Sequence, residues 1–202
     1  MSIYALKPKF QALLRPLTAA LARAGVTANQ VTLGAAVVSV ALGLFVALRA
    51  PERWPFLLIP VWMFVRMAFN AIDGMLAREF GQKSRLGAYL NELTDVIADA
   101  ALYFPFALMP PFSPLWTGVV IVLAVICEFA GVLGPTVGAS RRYDGPMGKS
   151  DRAFVFGALG LWIGTGAPLP EWLAFAMPVL AVALAATIVN RVRRGLDEGA
   201  SR

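Results

Sequence analysis

Long apolar runs broken by short polar connections set the pattern of this chain. About 20 apolar residues in a helix cross a hydrocarbon core about 30 Å thick. Six stretches approach that length, near residues 31–49, 54–77, 86–109, 114–138, 152–167 and 172–190. Ahead of them residues 4–24 follow another rhythm. From Tyr4 to Ala24, Leu6, Phe10, Leu13, Leu14, Leu17 and Leu21 recur at helical spacing, with Lys7, Lys9, Arg15 and Arg23 on the remaining surface. This is the pattern of a helix lying in the membrane interface, and Gly25 ends it. No uninterrupted apolar stretch follows the first charges, so the segment does not read as a cleavable signal peptide. The pattern predicts an all-α integral membrane protein, a single domain over residues 1–202. It comprises an amphipathic interfacial helix over residues 1–25 and six transmembrane helices over about residues 30–191.

Charge placement orients these spans. Of 18 Lys and Arg residues, 15 fall before the first span, between the second and third, between the fourth and fifth, or after the sixth, where Arg191, Arg193, Arg194 and Arg202 lie. Only Arg49 and Arg53 lie in the opposite connections, and Arg66 lies inside a span. The positive-inside rule then puts both termini in the cytoplasm of a bacterial-type inner (plasma) membrane protein. A net charge of +6 spread over alternate loops forms no single basic face, so nucleic acid is not an expected partner. Pro51, Pro55, Pro110, Pro111, Pro114, Pro168 and Pro170 collect in the outer connections, where they end helices without breaking one in lipid. Histidine is absent and Cys127 is the sole cysteine, which leaves acid–base chemistry to carboxylates, Lys or Tyr and excludes a Cys-based metal site.

One region contradicts its apolar surroundings. Residues 70–95 read Asn-x-x-Asp-Gly-x-x-Ala-Arg, eight residues, then Gly-x-x-x-Asn-x-x-x-Asp, comprising Asn70, Asp73, Gly74, Ala77, Arg78, Gly87, Asn91 and Asp95. Polar groups at membrane depth are costly, so a cluster of them points to function. Asn70 and Asp73 share one helix face, and Asn91, Asp95 and Asp99 share a stripe on the next helix. A short turn over residues 81–85 predicts that the two helices are antiparallel neighbours whose polar faces converge. Oxygen-only donors suit Mg²⁺, Mn²⁺ or Ca²⁺ rather than zinc. Gly74 and Gly87 leave room for close approach. For Asn70 or Asn91 alone the simpler reading is interhelical hydrogen bonding. That reading does not account for Asp73, Asp95 and Asp99 together. Arg66 and Glu128, both at depth, are expected to pair with each other.

This segment resembles the signature of the CDP-alcohol phosphotransferases, D-x-x-D-G-x-x-A-R-x8-G-x-x-x-D-x-x-x-D. Asp73, Gly74, Ala77, Arg78, Gly87 and Asp95 match it, and Asn70 and Asn91 stand where the family has its first and third aspartates. The likeness covers nearly the whole chain. Thr-Ala-Asn-Gln-Val-Thr at 27–32 resembles the family's Pro-Asn-x-x-Thr element, and Gly-Lys-Ser-Asp-Arg at 148–152 is similar to a bacterial branch with the same Asn pairing. The resemblance implies that a divalent cation, often a pair, holds the diphosphate of a CDP-activated alcohol while an acceptor hydroxyl attacks the β-phosphorus and expels CMP. Carried over, Asp95 is the general base, and Asn70, Asp73, Asn91 and Asp95 face the metal, Mg²⁺ or Mn²⁺, with Ca²⁺ as a structural or inhibitory occupant. Asn29, Thr32, Gly74, Ala77, Arg78 and Gly87 line the nucleotide side. The implied partners are a CDP-activated lipid donor, an alcohol acceptor, membrane lipids and a second copy in a homodimer.

Two amides for two carboxylates remove two negative charges from the cation's surroundings, which predicts weaker metal binding or one ion in place of two. Glu92, Asp99 and Glu128 are candidates to restore charge. Arg141, Arg142, Lys149 and Arg152 read either as topogenic charge attracted to anionic lipid or as a phosphate pocket for the acceptor. The leading function is transfer of a phosphatidyl or other substituted phosphoryl group, in phospholipid biosynthesis, from a CDP-alcohol such as CDP-diacylglycerol to an alcohol. Glycerol phosphate, inositol phosphate, serine and another lipid all remain open as acceptor. The alternatives are a catalytically silent, partner-binding relative and a small transporter using the midmembrane carboxylates.

Overall fold

A computed structural model describes residues 6–200, and side chains from residue 8. Tyr4, Arg202 and the side chains of Leu6 and Lys7 therefore lie outside the described residues. Seven α-helices follow in order: α1 (Leu6–Arg23), α2 (Ala28–Arg49), α3 (Leu58–Glu79), α4 (Arg85–Tyr103), α5 (Pro114–Val132), α6 (Lys149–Gly164) and α7 (Ala176–Ala200). No strand occurs among the described residues. Short 3-10 turns, Trp54–Leu57, Phe104–Leu108, Gly134–Val137 and Glu171–Phe175, adjoin four of the helices.

All six apolar stretches are helical, and four of them are long and apolar enough to cross a bilayer: Ala28–Arg49, Trp54–Glu79, Pro114–Val132 and Glu171–Ala200. The other two fall short for different reasons. Glu92, Asp95 and Asp99 interrupt α4, and α6 has only 16 residues. Large apolar side chains face outward along the bundle, among them Leu48, Phe64, Val122, Phe129 and Val182. A soluble protein seldom exposes so much contiguous apolar surface, whereas lipid requires it.

The sequence sets the helix starts locally. Thr27 and Gln30 form a reciprocal cap on α2, each side chain accepting from the other's backbone N–H at 3.2 and 2.9 Å. Ser84 caps α4 by accepting from the Gly87 N–H at 2.9 Å. Between these ends, Gln82 accepts from the Ala28 N–H at 2.7 Å and donates to the Val26 carbonyl at 3.3 Å, tying the α3–α4 turn to the start of α2. Gly81 supplies the left-handed residue in that turn, with φ of 70°.

The expectation that α3 and α4 are packed neighbours needs correction. α2 packs closely on both, whereas α3 and α4 are joined mainly by long side chains reaching across a gap. Gly43 explains the closeness of α2 to α4, since a Cβ there would lie 2.1 Å from the Ala101 carbonyl oxygen. Toward the opposite end of the bundle Tyr103 stacks on Phe156 at 3.8 Å and Phe106 packs edge-on against Phe56, Phe112 and Phe156. A second apolar cluster around Ile72, Met75 and Leu76 receives Leu14 and Leu21 of α1. An exposed Arg15–Glu79 pair at 2.9 Å lies beside it.

Candidate active site

The gap between α3 and α4, with α2 along one side, holds a cavity of about 330 Å³. α2 contributes Asn29 and Thr32, α3 contributes Asp73, Gly74, Ala77 and Arg78, α4 contributes Gly87, Asn91 and Glu92, and the turn adds Gln82, Lys83 and Ser84. Thr32 places its hydroxyl 2.8 Å from Asp73 Oδ2 and 3.0 Å from the Ala28 carbonyl oxygen. The glycines matter sterically. A Cβ on Gly87 would fall 2.8 Å from Asn29 Oδ1 and 2.9 Å from Ser84 Oγ, and one on Gly74 would fall 2.8 Å from Arg78 Nη2. Arg78 therefore folds back over Gly74. Among the described residues neither Arg78 nor Lys83 is paired with a carboxylate, so both guanidinium and ammonium remain available to an anion in the cavity.

Beyond the cavity lies a connected set of ion pairs. Asp95 is held on both oxygens, Oδ1 by Arg66 Nη2 at 3.0 Å and Oδ2 by Lys149 Nζ at 2.5 Å. Asp99 Oδ1 meets Arg66 Nη1 at 2.5 Å, and its Oδ2 meets Arg152 Nη2 at 3.3 Å. The same Arg152 nitrogen lies 2.9 Å from Glu128 Oε1, while Glu128 Oε2 faces Arg191 at 3.5 Å and Arg141 at 3.8 Å. Arg141 also pairs with Glu92. Helices α3 to α7 are thus joined by alternating charges, and Arg152 and Arg191 are only 1% and 2% exposed. Charges so buried require partners on several sides to offset desolvation.

The residues predicted for the site divide into three groups. Asn29, Thr32, Asp73, Gly74, Ala77, Arg78, Gly87 and Asn91 line one cavity. Asp95 lies one turn beyond Asn91 and, held by Arg66 and Lys149, does not line the cavity. Asn70 does not line the cavity. The half-buried amides of Asn70 and Asn91 make no hydrogen bond among the described residues, so neither ties helices together here. Of the carboxylates named as compensators, Asp99 and Glu128 are neutralised by arginines, and Glu92, which reaches the cavity, pairs with Arg141.

The expected Arg66–Glu128 pair is not formed. Arg66 points to Asp95 and Asp99 on α4, and Glu128 on α5 finds Arg152 of α6 and Arg191 of α7 instead. Arg141, Arg142, Lys149 and Arg152 do not converge on an open anion pocket. Arg142 pairs with Asp144 and Glu198, and the other three bind the carboxylates already named. Sequence reasoning missed Arg191, counted among charges that follow the last span. It is buried, and its Nη1 donates to the Cys127 carbonyl at 2.5 Å. The one available signal was Glu128 itself, a carboxylate at depth that had to find cations.

The donor set accepts a hard cation only sparingly. Asp73, Asp95 and the free amides of Asn70 and Asn91 are oxygen donors of the kind Mg²⁺ and Mn²⁺ take. No group of three or more Asp, Glu, His or Cys is arranged to hold an ion among the described residues. By donor type these residues suit a divalent ion, and Asp73 and Asn91 are the two of them that line the cavity.

The family model for CDP-alcohol phosphatidyltransferases matches residues 25–189. The chain belongs to this family. CDP-alcohol phosphatidyltransferases are transferases of phospholipid biosynthesis, and the relatives agree with that assignment. The inner membrane protein YnbA of Escherichia coli is 43% identical over 193 residues, 96% of each chain. A phosphatidylinositol phosphate synthase of Mycobacteroides abscessus is 29% identical over 189 residues, 91% of this chain and 83% of that one. The crystal structure of the phosphatidylinositol phosphate synthase of Mycobacterium tuberculosis with CDP-DAG bound superposes with a TM-score of 0.74 at 26% identity, covering 89% of this chain and 92% of that one. The same enzyme in complex with manganese and citrate gives a TM-score of 0.73 at 25% identity, over 89% and 87% of the two chains.

Proposed function

We propose that this member of the CDP-alcohol phosphatidyltransferase family transfers a phosphatidyl group from CDP-diacylglycerol to an alcohol, with release of CMP. The observation that carries the reading is the one cavity where eight motif residues of α2, α3 and α4 meet, with Arg78 among them and Lys83 beside them unpaired with any carboxylate among the described residues. The 26% identical synthase that binds CDP-DAG supports the choice of donor.

In this reading Arg78 and Lys83 attract the donor's phosphates, and Gly74 and Gly87 let the nucleotide lie close to the backbone. Asp73, Asn91, Asn70 and Asp95 would hold a divalent cation, Mg²⁺ or Mn²⁺, with Ca²⁺ as a non-productive occupant. When bound, that ion neutralises charge on the diphosphate. Asp95 accepts the proton of the acceptor hydroxyl. The acceptor oxygen forms a bond to the β-phosphorus as the bond from that phosphorus to the bridging oxygen breaks, and the oxygen leaves with CMP. Positioning and charge neutralisation are most of what such a transfer asks of a protein. Since both Asp95 oxygens are engaged, Arg66 or Lys149 moves aside when the proton arrives.

The wider setting is a homodimer in a bacterial inner membrane, with α4 and α6 as two further spans, α1 in the cytoplasmic interface and both termini cytoplasmic. The outward stripe of Leu86, Tyr89, Leu93 and Ile97 on α4 supports its place in lipid, opposite Asn91, Asp95 and Asp99.

Incubating the purified protein with CDP-diacylglycerol, Mg²⁺ or Mn²⁺ and a panel of alcohols should release CMP. Asp95→Asn should abolish release while the fold is retained, and undiminished release would refute the role of Asp95. The two-sided clamp on Asp95 favours one other reading, a silent relative that binds partners. Metal and donor binding without CMP formation from any alcohol would establish it.

A further inference from the structure

We infer that Lys149 is a tethered cation standing beside Asp95 where a second metal ion would otherwise sit, so that the site binds one divalent ion, on the Asp73 side. This rests on the proposed function, since the ion it limits is the one that meets the donor's diphosphate.

Lys149 opens α6, three residues ahead of Arg152, so the two side chains leave the helix on one face. Arg152 is anchored in the interior against Asp99 and Glu128, which fixes the helix start and aims Lys149 at the same acidic centre. Its ammonium touches Asp95 Oδ2 at 2.5 Å, the oxygen that Arg66 leaves free. It therefore occupies a carboxylate oxygen that a metal ion would otherwise take. At 32% exposure its side chain is partly open rather than sealed like Arg152 behind it.

Charge balance supports the same conclusion. The connected network holds the cations Arg66, Arg141, Lys149, Arg152 and Arg191 and the anions Glu92, Asp95, Asp99 and Glu128, and the cavity beside it adds Asp73, Arg78 and Lys83. The site therefore carries two net positive charges before any metal arrives. A donor diphosphate diester brings two negative charges, which these offset. One divalent ion then leaves two positive charges, and a second would leave four in a low dielectric with nothing to balance them.

The test is Mn²⁺ binding by equilibrium dialysis and electron paramagnetic resonance on the full chain, with and without CDP-diacylglycerol. Wild type should bind no more than one Mn²⁺ per chain, with an uncoupled six-line spectrum. Lys149→Ala should bind Mn²⁺ at least about tenfold more tightly, the factor that about 1.4 kcal/mol of relieved repulsion gives. It should also admit a second, spin-coupled ion when donor is present. Lys149→Arg keeps the charge and should behave as wild type. Two ions on wild type, or equal affinity in wild type and Lys149→Ala, would overturn the inference. So would the absence of Mn²⁺ from both proteins; CMP release would then still decide the transferase reading separately. If Lys149→Ala does not fold, the wild-type stoichiometry and Lys149→Gln carry the same test.

Discussion

Asp99→Asn is the sharpest probe of the buried ion pairs, because it keeps the shape of the side chain and removes its charge. Asp99 has an 8% exposed side chain, with Arg66 at 2.5 Å on one oxygen and Arg152 at 3.3 Å on the other. Breaking a buried pair by changing one partner costs about 3–5 kcal/mol. Each arginine keeps a second carboxylate, Asp95 for Arg66 and Glu128 for Arg152, so the loss belongs at the low end, about 3 kcal/mol. For a chain of this size about 1 kcal/mol moves the melting temperature by about 2–4 °C, giving a drop of roughly 6–12 °C. The protein carries its own reporter: Cys127 is the sole cysteine and is buried, so a thiol-reactive dye fluoresces only as the bundle opens. In the double variant Arg66→Met with Asp99→Leu, the loss should be smaller than the sum of the two single losses, since neither residue strands the other. A drop under about 2 °C for Asp99→Asn, or strict additivity in the cycle, would refute the claim that these pairs are coupled and desolvated.

Two further outcomes follow from the geometry. Gly87→Ala should raise the KM for the CDP-linked donor with little change in kcat, because its Cβ would meet only the side-chain ends of Asn29 and Ser84; an unchanged KM would count against those residues as the nucleotide wall. At Asp144, outside the spans, burial opposes the charge, but hydrogen bonds from Arg142 and Arg194 outweigh it and hold the carboxyl below the ordinary aspartate range. A group depressed in this way contributes stability that is complete above its unfolded value, about 3.9, and is lost as pH falls through the folded one. Asp144→Asn should therefore melt below wild type at pH 7, and the gap should close under acid conditions; a gap independent of pH would contradict the assignment.

Helix positions were readable from the sequence because apolar run length, proline placement and caps are local properties. The cavity wall was readable for a similar reason. Asn29, Thr32, Asp73, Gly74, Ala77, Arg78, Gly87 and Asn91 follow fixed spacings, and spacing on a helix determines face. Partners across the bundle were not readable. Whether Arg66 meets Glu128 or Asp99 depends on the rotation of α3 against α4 and α5, which neither helix encodes alone. The short turn at residues 81–85 correctly implied antiparallel helices, yet it said nothing of α2, which packs on both and reaches α4 through Gly43.

The two helices that fall short as membrane spans, α4 and α6, are the two that carry Asp95, Asp99, Lys149 and Arg152. α6 falls short by length, whereas in α4 the polar side chains that meet the site are themselves what lowers its hydropathy. A stretch apolar enough to insert unaided offers nothing to hold a diphosphate, and one with two such charged side chains on a face cannot turn that face to lipid. α4 resolves the conflict by facing: Leu86, Tyr89, Leu93 and Ile97 point outward while Asn91, Asp95 and Asp99 point in, and the inward charges are matched by Arg66, Lys149 and Arg152. The interior network is thus the condition under which polar helices remain in the bundle beside the cavity. Removing its charges together by well-packed apolar residues would be tolerated by stability far better than by activity, because burial favours an apolar replacement while the site requires its oxygens and its paired charges.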